Sequence, residues 1–134
     1  MHKHIIFFTA VLSTQLPHLG AQQTRYRDPV FSQVKVTKDV SFGSAVNRYT
    51  NQTQILRLDL YEPQGDRAAA RPVLMMVHGG GFYTGQKDGP HYVQVCTAAA
   101  ARGFVSVSID YRLRPRNIKT SIVNVVDASH DMKA

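Results

Sequence analysis

The sequence predicts an α/β fold: two antiparallel strands, then a β-α-β unit and a further helix. Three observations predict it. Apolar and polar residues alternate through Val34-Lys35-Val36-Thr37 and again through Gln54-Ile55-Leu56-Arg57-Leu58-Asp59-Leu60-Tyr61, the period of a half-buried strand. The pattern changes at Pro72, after which Val73-Leu74-Met75-Met76-Val77 is a continuous apolar run, as in a strand covered on both faces of a parallel sheet. An Ala-rich stretch closed by Gly103 and a second apolar run then complete strand, helix, strand, whose crossover is expected to be right-handed.

The elements follow in order. Residues 1–21 read as a signal peptide: Lys3 in a basic start, Ile5 to Leu12 as a short apolar core, Pro17 and Gly20 as breakers, and Ala21 at the cleavage point. Residues 22–134 then belong to one domain, of which they are the N-terminal part, in a secreted or periplasmic location. The first strand is expected within 31–42 and a polar, turn-rich connection over 43–52. That connection holds the sequon Asn51-Gln52-Thr53. The second strand, 54–61, is expected to put Leu56, Leu58 and Leu60 on a covered face and Arg57 and Asp59 on a wet one. The third is Val73–Val77. The first helix spans 91–102, with Gly103 as its cap, and the fourth strand spans 104–109. A last helix over 118–134 carries Ile122, Val125, Val126 and Met132 at helical spacing.

Composition excludes several function classes. The chain has 134 residues, 43% hydrophobic, with one Cys, and sixteen Lys and Arg against nine Asp and Glu for a net charge of +7. That is too apolar for a disordered tail. One Cys supports no intrachain disulfide and no Cys-rich zinc site, and no metal or other cofactor is expected. No run approaches the roughly 18 apolar residues of a membrane span. The positive charge is dispersed, and its one cluster, Arg112, Arg114, Arg116 and Lys119, is broken by Pro115 and Asn117. It reads as a solvated loop, so no nucleic-acid partner is expected.

The chemistry points to His78-Gly79-Gly80-Gly81-Phe82, directly after the buried strand. Consecutive glycines let the backbone turn sharply with its N–H groups outward, an anion-binding feature at a strand's carboxyl end. The pattern fits no dinucleotide site, because Thr84 stands where Gly or Ala is needed and the helix starts too late. Gly85-Gln86-Lys87-Asp88 is no phosphate loop either. His91 and His130 read as surface residues and Cys96 as a small buried side chain.

His-Gly-Gly-Gly-Phe after a buried strand, with Asp110-Tyr111-Arg112-Leu113 ending the next, resembles the α/β-hydrolase esterases and lipases, in particular the carboxylesterase and hormone-sensitive-lipase groups. The resemblance covers about residues 31–134 and implies a partial α/β-hydrolase fold acting on a small-molecule ester. It implies that Gly80 and Gly81 donate the oxyanion-hole N–H groups, that Gly79 permits the turn, and that His78 braces the loop. It implies a structural corner of Tyr111 and Arg112, with Asp110 at the strand end.

The family's Ser-acid-His triad needs a Gly-x-Ser-x-Gly elbow, and the 134 residues contain none. Ser106 and Ser108 fall within a strand, and Ser121 and Ser129 on a helix without glycines. Asp127, His130 and Asp131 read as an ordinary polar helix face. The nucleophile, acid and base are therefore expected to be absent, and the chain to be an inactive N-terminal portion. In the family's strand order the third strand lies between the fourth and a fifth, so Val73–Val77 is expected to offer an apolar edge for self-association. The alternative reading is a non-catalytic secreted module that binds a carboxylate or carbonyl ligand at the glycine loop.

Overall fold

The computed structural model describes residues 24–119 and 122–134. The signal-peptide reading and Ser121 lie outside them. The described elements run β1 (Val34–Asn47), β2 (Gln52–Pro63), β3 (Val73–Val77), α1 (Pro90–Ala100), β4 (Val105–Ile109) and α2 (Ile122–Asp131). They build one four-stranded sheet in the order β1-β2-β4-β3. The pairs β1–β2 and β2–β4 are antiparallel. β3 and β4 are parallel, in register from Val73 opposite Val105 to Val77 opposite Ile109. The expected partial α/β architecture is therefore present: an antiparallel start joined to a β-α-β unit.

The strand boundaries differ from expectation at the hairpin. β1 does not end near residue 42; it runs on to Asn47, leaving only residues 48–51 as the turn. The polar stretch 43–47 pairs residue by residue with 52–56, so ladder hydrogen bonds hold it extended where no apolar pattern marks it. Two register shifts interrupt β1, between Thr37 and Val40 and between Ser41 and Gly43. Asp39 lies in the first, with φ +57°.

The core sits between the sheet and α1. Tyr61, Cys96 and Ala100 are buried together, with Val34, Met76 and Val93 packed around them. α1 begins at Pro90, whose missing N–H costs nothing in the first turn. It hands over through Gly103 to β4, where residues 106–109 are all buried. Burial pushes the Cys96 thiol up to about 11, so it behaves as a small apolar side chain.

Three burial expectations are overturned. Asp59 is not on a wet face: it is fully buried, because Lys87 folds over it. β3 is not covered on both faces. Met76 joins the α1 core, but Val73 is 64% exposed and Met75 is exposed, because among the described residues β3 pairs only with β4 and α1 covers one side. α2 is inverted. It starts at Ile122, not near residue 118, and buries Asn124, Asp127, Ala128 and Asp131 while Ile122, Val125 and Val126 lie exposed. Arg48 and Arg112, from elsewhere in the chain, draw its carboxylates inward. No described helix is long and apolar enough to cross a membrane.

Candidate functional site

The site is built where β3 and β4 end side by side. This is the edge of a parallel sheet at which ligands bind, outside the carboxyl ends of the strands. On leaving β3, the chain turns through Gly80 (φ +121°), Gly81 (φ +61°) and Phe82 (φ +64°). Tyr83 N–H and Thr84 N–H both donate to Gly80 O, at 3.3 and 3.2 Å. A Cβ on Gly80 would lie 2.0 Å from Thr84 O, so no other residue fits there. Phe82 has a side chain and still holds a positive φ, a costly conformation. Arg114 pins it: its N–H donates to Phe82 O at 2.9 Å and its guanidinium to Gly81 O at 3.3 Å.

The three glycine N–H groups differ. Gly79 N–H donates to Tyr92 Oη at 2.9 Å, which ties the turn to the first turn of α1. Gly80 N–H makes no hydrogen bond among the described residues. Gly81 has polar partners.

His78 supports the turn from below. It is 3% exposed, and its ring stacks on Tyr111 at 4.3 Å and 17°. Tyr111 Oη donates to His78 O at 2.9 Å, joining the end of β3 to the end of β4. His78 Nδ1 lies 2.8 Å from Gly79 O. A carbonyl only accepts, so Nδ1 carries the hydrogen in this contact. Nε2 is then turned toward Asp110 Oδ1, 3.7 Å away. Burial raises the Tyr111 phenol above its ordinary value, keeping it a neutral donor.

Asp110 Oδ1 accepts Lys87 N–H at 2.8 Å. Ser108 Oγ donates to Lys87 O at 2.7 Å. Lys87 Nζ stands 2.9 Å from both Asp39 Oδ1 and Asp59 Oδ1. Burial alone would lower the Lys87 pKa, but those two carboxylates hold it above the usual lysine range. A cleft of about 270 Å³ lies beside this network, lined by Ile55, Arg57, His78, Gln86 and Asp110 among others. Gly80 and Gly81 do not line it.

Of the residues singled out in the sequence, His78, Gly79, Gly80, Gly81 and Tyr111 meet at the turn, with Asp110 at its flank. Arg112 does not join them. Its guanidinium donates to Asp131 at 2.9 Å, to Val46 O at 2.8 Å and to Asp127 O at 3.3 Å, which anchors α2. Arg112 and Arg114 are thus not a solvated loop; only Arg116 and Lys119 of that cluster are exposed. Asp127 and Asp131 are not an ordinary polar face either. Arg48 pairs with Asp127 at 2.6 Å and Arg112 with Asp131 at 2.7 Å, because a buried carboxylate needs a cation. His130 is exposed. Ser106 and Ser108 are buried inside β4.

Tyr92, Lys87 and Arg114 escaped the sequence reading. Tyr92 had one available signal: it follows Gly89-Pro90 in the first turn of the helix after the glycine loop. Among the described residues, no group of three His, Cys, Asp or Glu side chains is arranged to hold a metal.

Comparison with known proteins agrees with this geometry. A family model, BD-FAE, matches residues 58–129, more than half the chain. A non-reducing polyketide synthase of Aspergillus novofumigatus is 33% identical over 112 residues, 82% of this chain and 4% of that protein. Phenmedipham hydrolase of Pseudarthrobacter oxydans is 43% identical over 60 residues, 45% of this chain and 12% of that protein. Among solved structures, esterase B from Lactobacillus rhamnosis superposes with a TM-score of 0.54 at 21% identity, over 77% of this chain and 29% of that one. Brefeldin A esterase, a bacterial homologue of human hormone-sensitive lipase, gives 0.52 at 18% identity, over 89% and 28%. The chain spans 3–12% of the length of four curated relatives that it matches and under a third of these two esterases. With its sheet order, its glycine turn and the match over residues 58–129 together, the chain belongs to the BD-FAE family and carries part of an esterase- and lipase-like α/β-hydrolase fold.

Proposed function

We propose that this chain supplies the oxyanion-hole side of a secreted carboxylic-ester hydrolase and, by itself, turns over no ester. One observation carries the reading: the Gly80 N–H, unbonded among the described residues, stands in a turn fixed at the carboxyl ends of two parallel strands. Gly80 and Gly81 donate to the oxyanion that forms when an ester carbonyl becomes tetrahedral. Gly79 is engaged by Tyr92 and permits the turn; His78 and Tyr111 hold it. A nucleophile on a Gly-x-Ser-x-Gly elbow, an acid and a base must come from polypeptide outside these 134 residues, since the serines within them have no such setting.

Residues 1–21 direct secretion in this reading. The open edge of β3, with Val73 and Met75 exposed, pairs with another strand, either a further segment or a second copy.

Two measurements test the function. Purified chain is expected to hydrolyse p-nitrophenyl acetate no faster than buffer; a rate that scales with protein and is blocked by a serine-directed phosphonate overturns the claim of inactivity. Titration of ¹⁵N-labelled chain with methylphosphonate is expected to move the Gly80 and Gly81 amide signals. Unmoved signals at saturating anion overturn the oxyanion-hole assignment. For the edge, sedimentation is expected to show self-association, and a strictly monomeric chain with a cooperative melt contradicts it.

A further inference from the structure

We propose that Lys87 is the positioning residue of the glycine turn, a clamp that sets where the Gly80 and Gly81 N–H groups stand; the inference rests on those groups being the functional donors. Lys87 is fixed at four points from three strands. Its Nζ bonds Asp39 of β1 and Asp59 of β2, and its backbone N–H and C=O bond Asp110 and Ser108 at the end of β4. No other described residue of the 79–89 loop has its side chain in an ion pair with the sheet.

The path from Lys87 to the donors is short and tight. Two residues before it, Gly85 packs so closely against the turn that a Cβ there would lie 2.4 Å from Gly79 O and 2.3 Å from His78 Nδ1. The residue before that, Thr84, donates its N–H to Gly80 O. A shift at Lys87 therefore passes through close backbone contact to Gly80. β1 is shaped for the clamp as well. The register shift after Thr37 and the positive φ of Asp39 turn that residue back over the sheet, where its N–H donates to Asp59 Oδ1 at 2.9 Å. A bulge that re-aims a side chain next to a site is a known use of extra strand residues.

Lys87→Met alone would leave Asp59 buried without a cation and unfold the chain for that reason. The informative variant of the full chain is Lys87→Met with Asp59→Asn, which removes both buried charges and keeps an acceptor for Asp39 N–H. Amide hydrogen exchange is expected to quicken about tenfold at residues 79–85 while the β1–β2 ladder stays within about threefold of the parent chain. The Gly80 and Gly81 amide shifts are expected to move in the same variant. Loop protection equal to the parent's overturns the proposal, because Lys87 would then only neutralise Asp59. Equal acceleration in loop and ladder also overturns it, as that is general destabilisation.

Asp39→Gly is the second variant. The Asp39 side chain is 61% exposed and its φ suits glycine, so the fold survives its loss. Loop exchange is expected to rise about threefold, and no rise overturns the clamp. These readouts follow amide order in the absence of anion, so Gly80 and Gly81 signals that stay unmoved on methylphosphonate titration would count against the proposed function and leave the clamp standing.

Discussion

The two helices are attached to the sheet by opposite means. α1 turns its small apolar residues inward: Cys96 and Ala100 are fully buried against Tyr61. α2 turns its polar residues inward, with Asp127 and Asp131 held by Arg48 and Arg112, and Asn124 donating to the Tyr49 hydroxyl. Its apolar stripe faces out, and Ile122 is 74% exposed. Apolar burial tolerates small adjustments and is indifferent to pH. A charged attachment depends on every partner, because a buried carboxylate deprived of its cation is strongly unfavourable. The contrast teaches that α2 is the more conditional of the two.

The largest effect is expected from Arg112→Ala. It strips Asp131, almost wholly buried, of its cation and removes a bond to the Asp127 carbonyl. A loss of about 3–5 kcal/mol is expected, measured by denaturant unfolding, with exchange over 122–131 rising first. A loss below about 1 kcal/mol would erase the distinction between the helices.

Next comes Ala100→Leu, the matching insult to α1. Ala100 has no exposed surface, and overpacking such a site costs about 1–3 kcal/mol. The thermal midpoint should fall while exchange over 122–131 keeps its parent rank.

Acid separates the helices without mutation. The Arg48 guanidinium holds the Asp127 carboxyl below the usual carboxylate range. A carboxyl depressed by folding binds fewer protons folded than unfolded, so its contribution is full above about pH 4 and is lost as pH falls below that. Protection across α2, taken relative to the intrinsic exchange rate at each pH, is expected to fall on acidification before protection across α1 does. Simultaneous loosening would break the comparison.

The smallest effect belongs to Val126→Thr. Val126 is exposed on the outer stripe of α2, so stability should change by no more than about 0.5 kcal/mol. A larger loss would mean that a surface on this stripe is engaged in solution.

What the sequence disclosed follows the same division. β3, α1 and β4 were legible because Pro72, Pro90 and Gly103 punctuate apolar runs whose burial is local. The orientation of α2 was not. A 3.6-residue period marks two faces equally, and here the choice fell to Arg48, 79 positions away from its partner Asp127. Asp59 follows the same rule: alternation points it outward, and Lys87, which covers it, belongs to a later loop. The far end of β1 is extended by pairing alone, and no apolar pattern marks it. At the site, the glycines and His78 were legible by resemblance. The pinning of Phe82 by Arg114 and the Lys87 contacts carry no local pattern and exist only after the strands have met.

The order β1-β2-β4-β3 also sets a schedule for the growing chain. β4 lies between two strands that are both synthesised before it. The hairpin has its partner as soon as residue 63 is made. β3 has none until Val105 appears to pair with Val73, after the whole of α1. During that interval Val73–Val77 is an apolar segment with no sheet to join, the kind of transient species that chaperones bind and that aggregates without them. Translation speed through residues 78–104 is thus expected to govern how much of the protein reaches its fold, whatever the stability of the fold once reached.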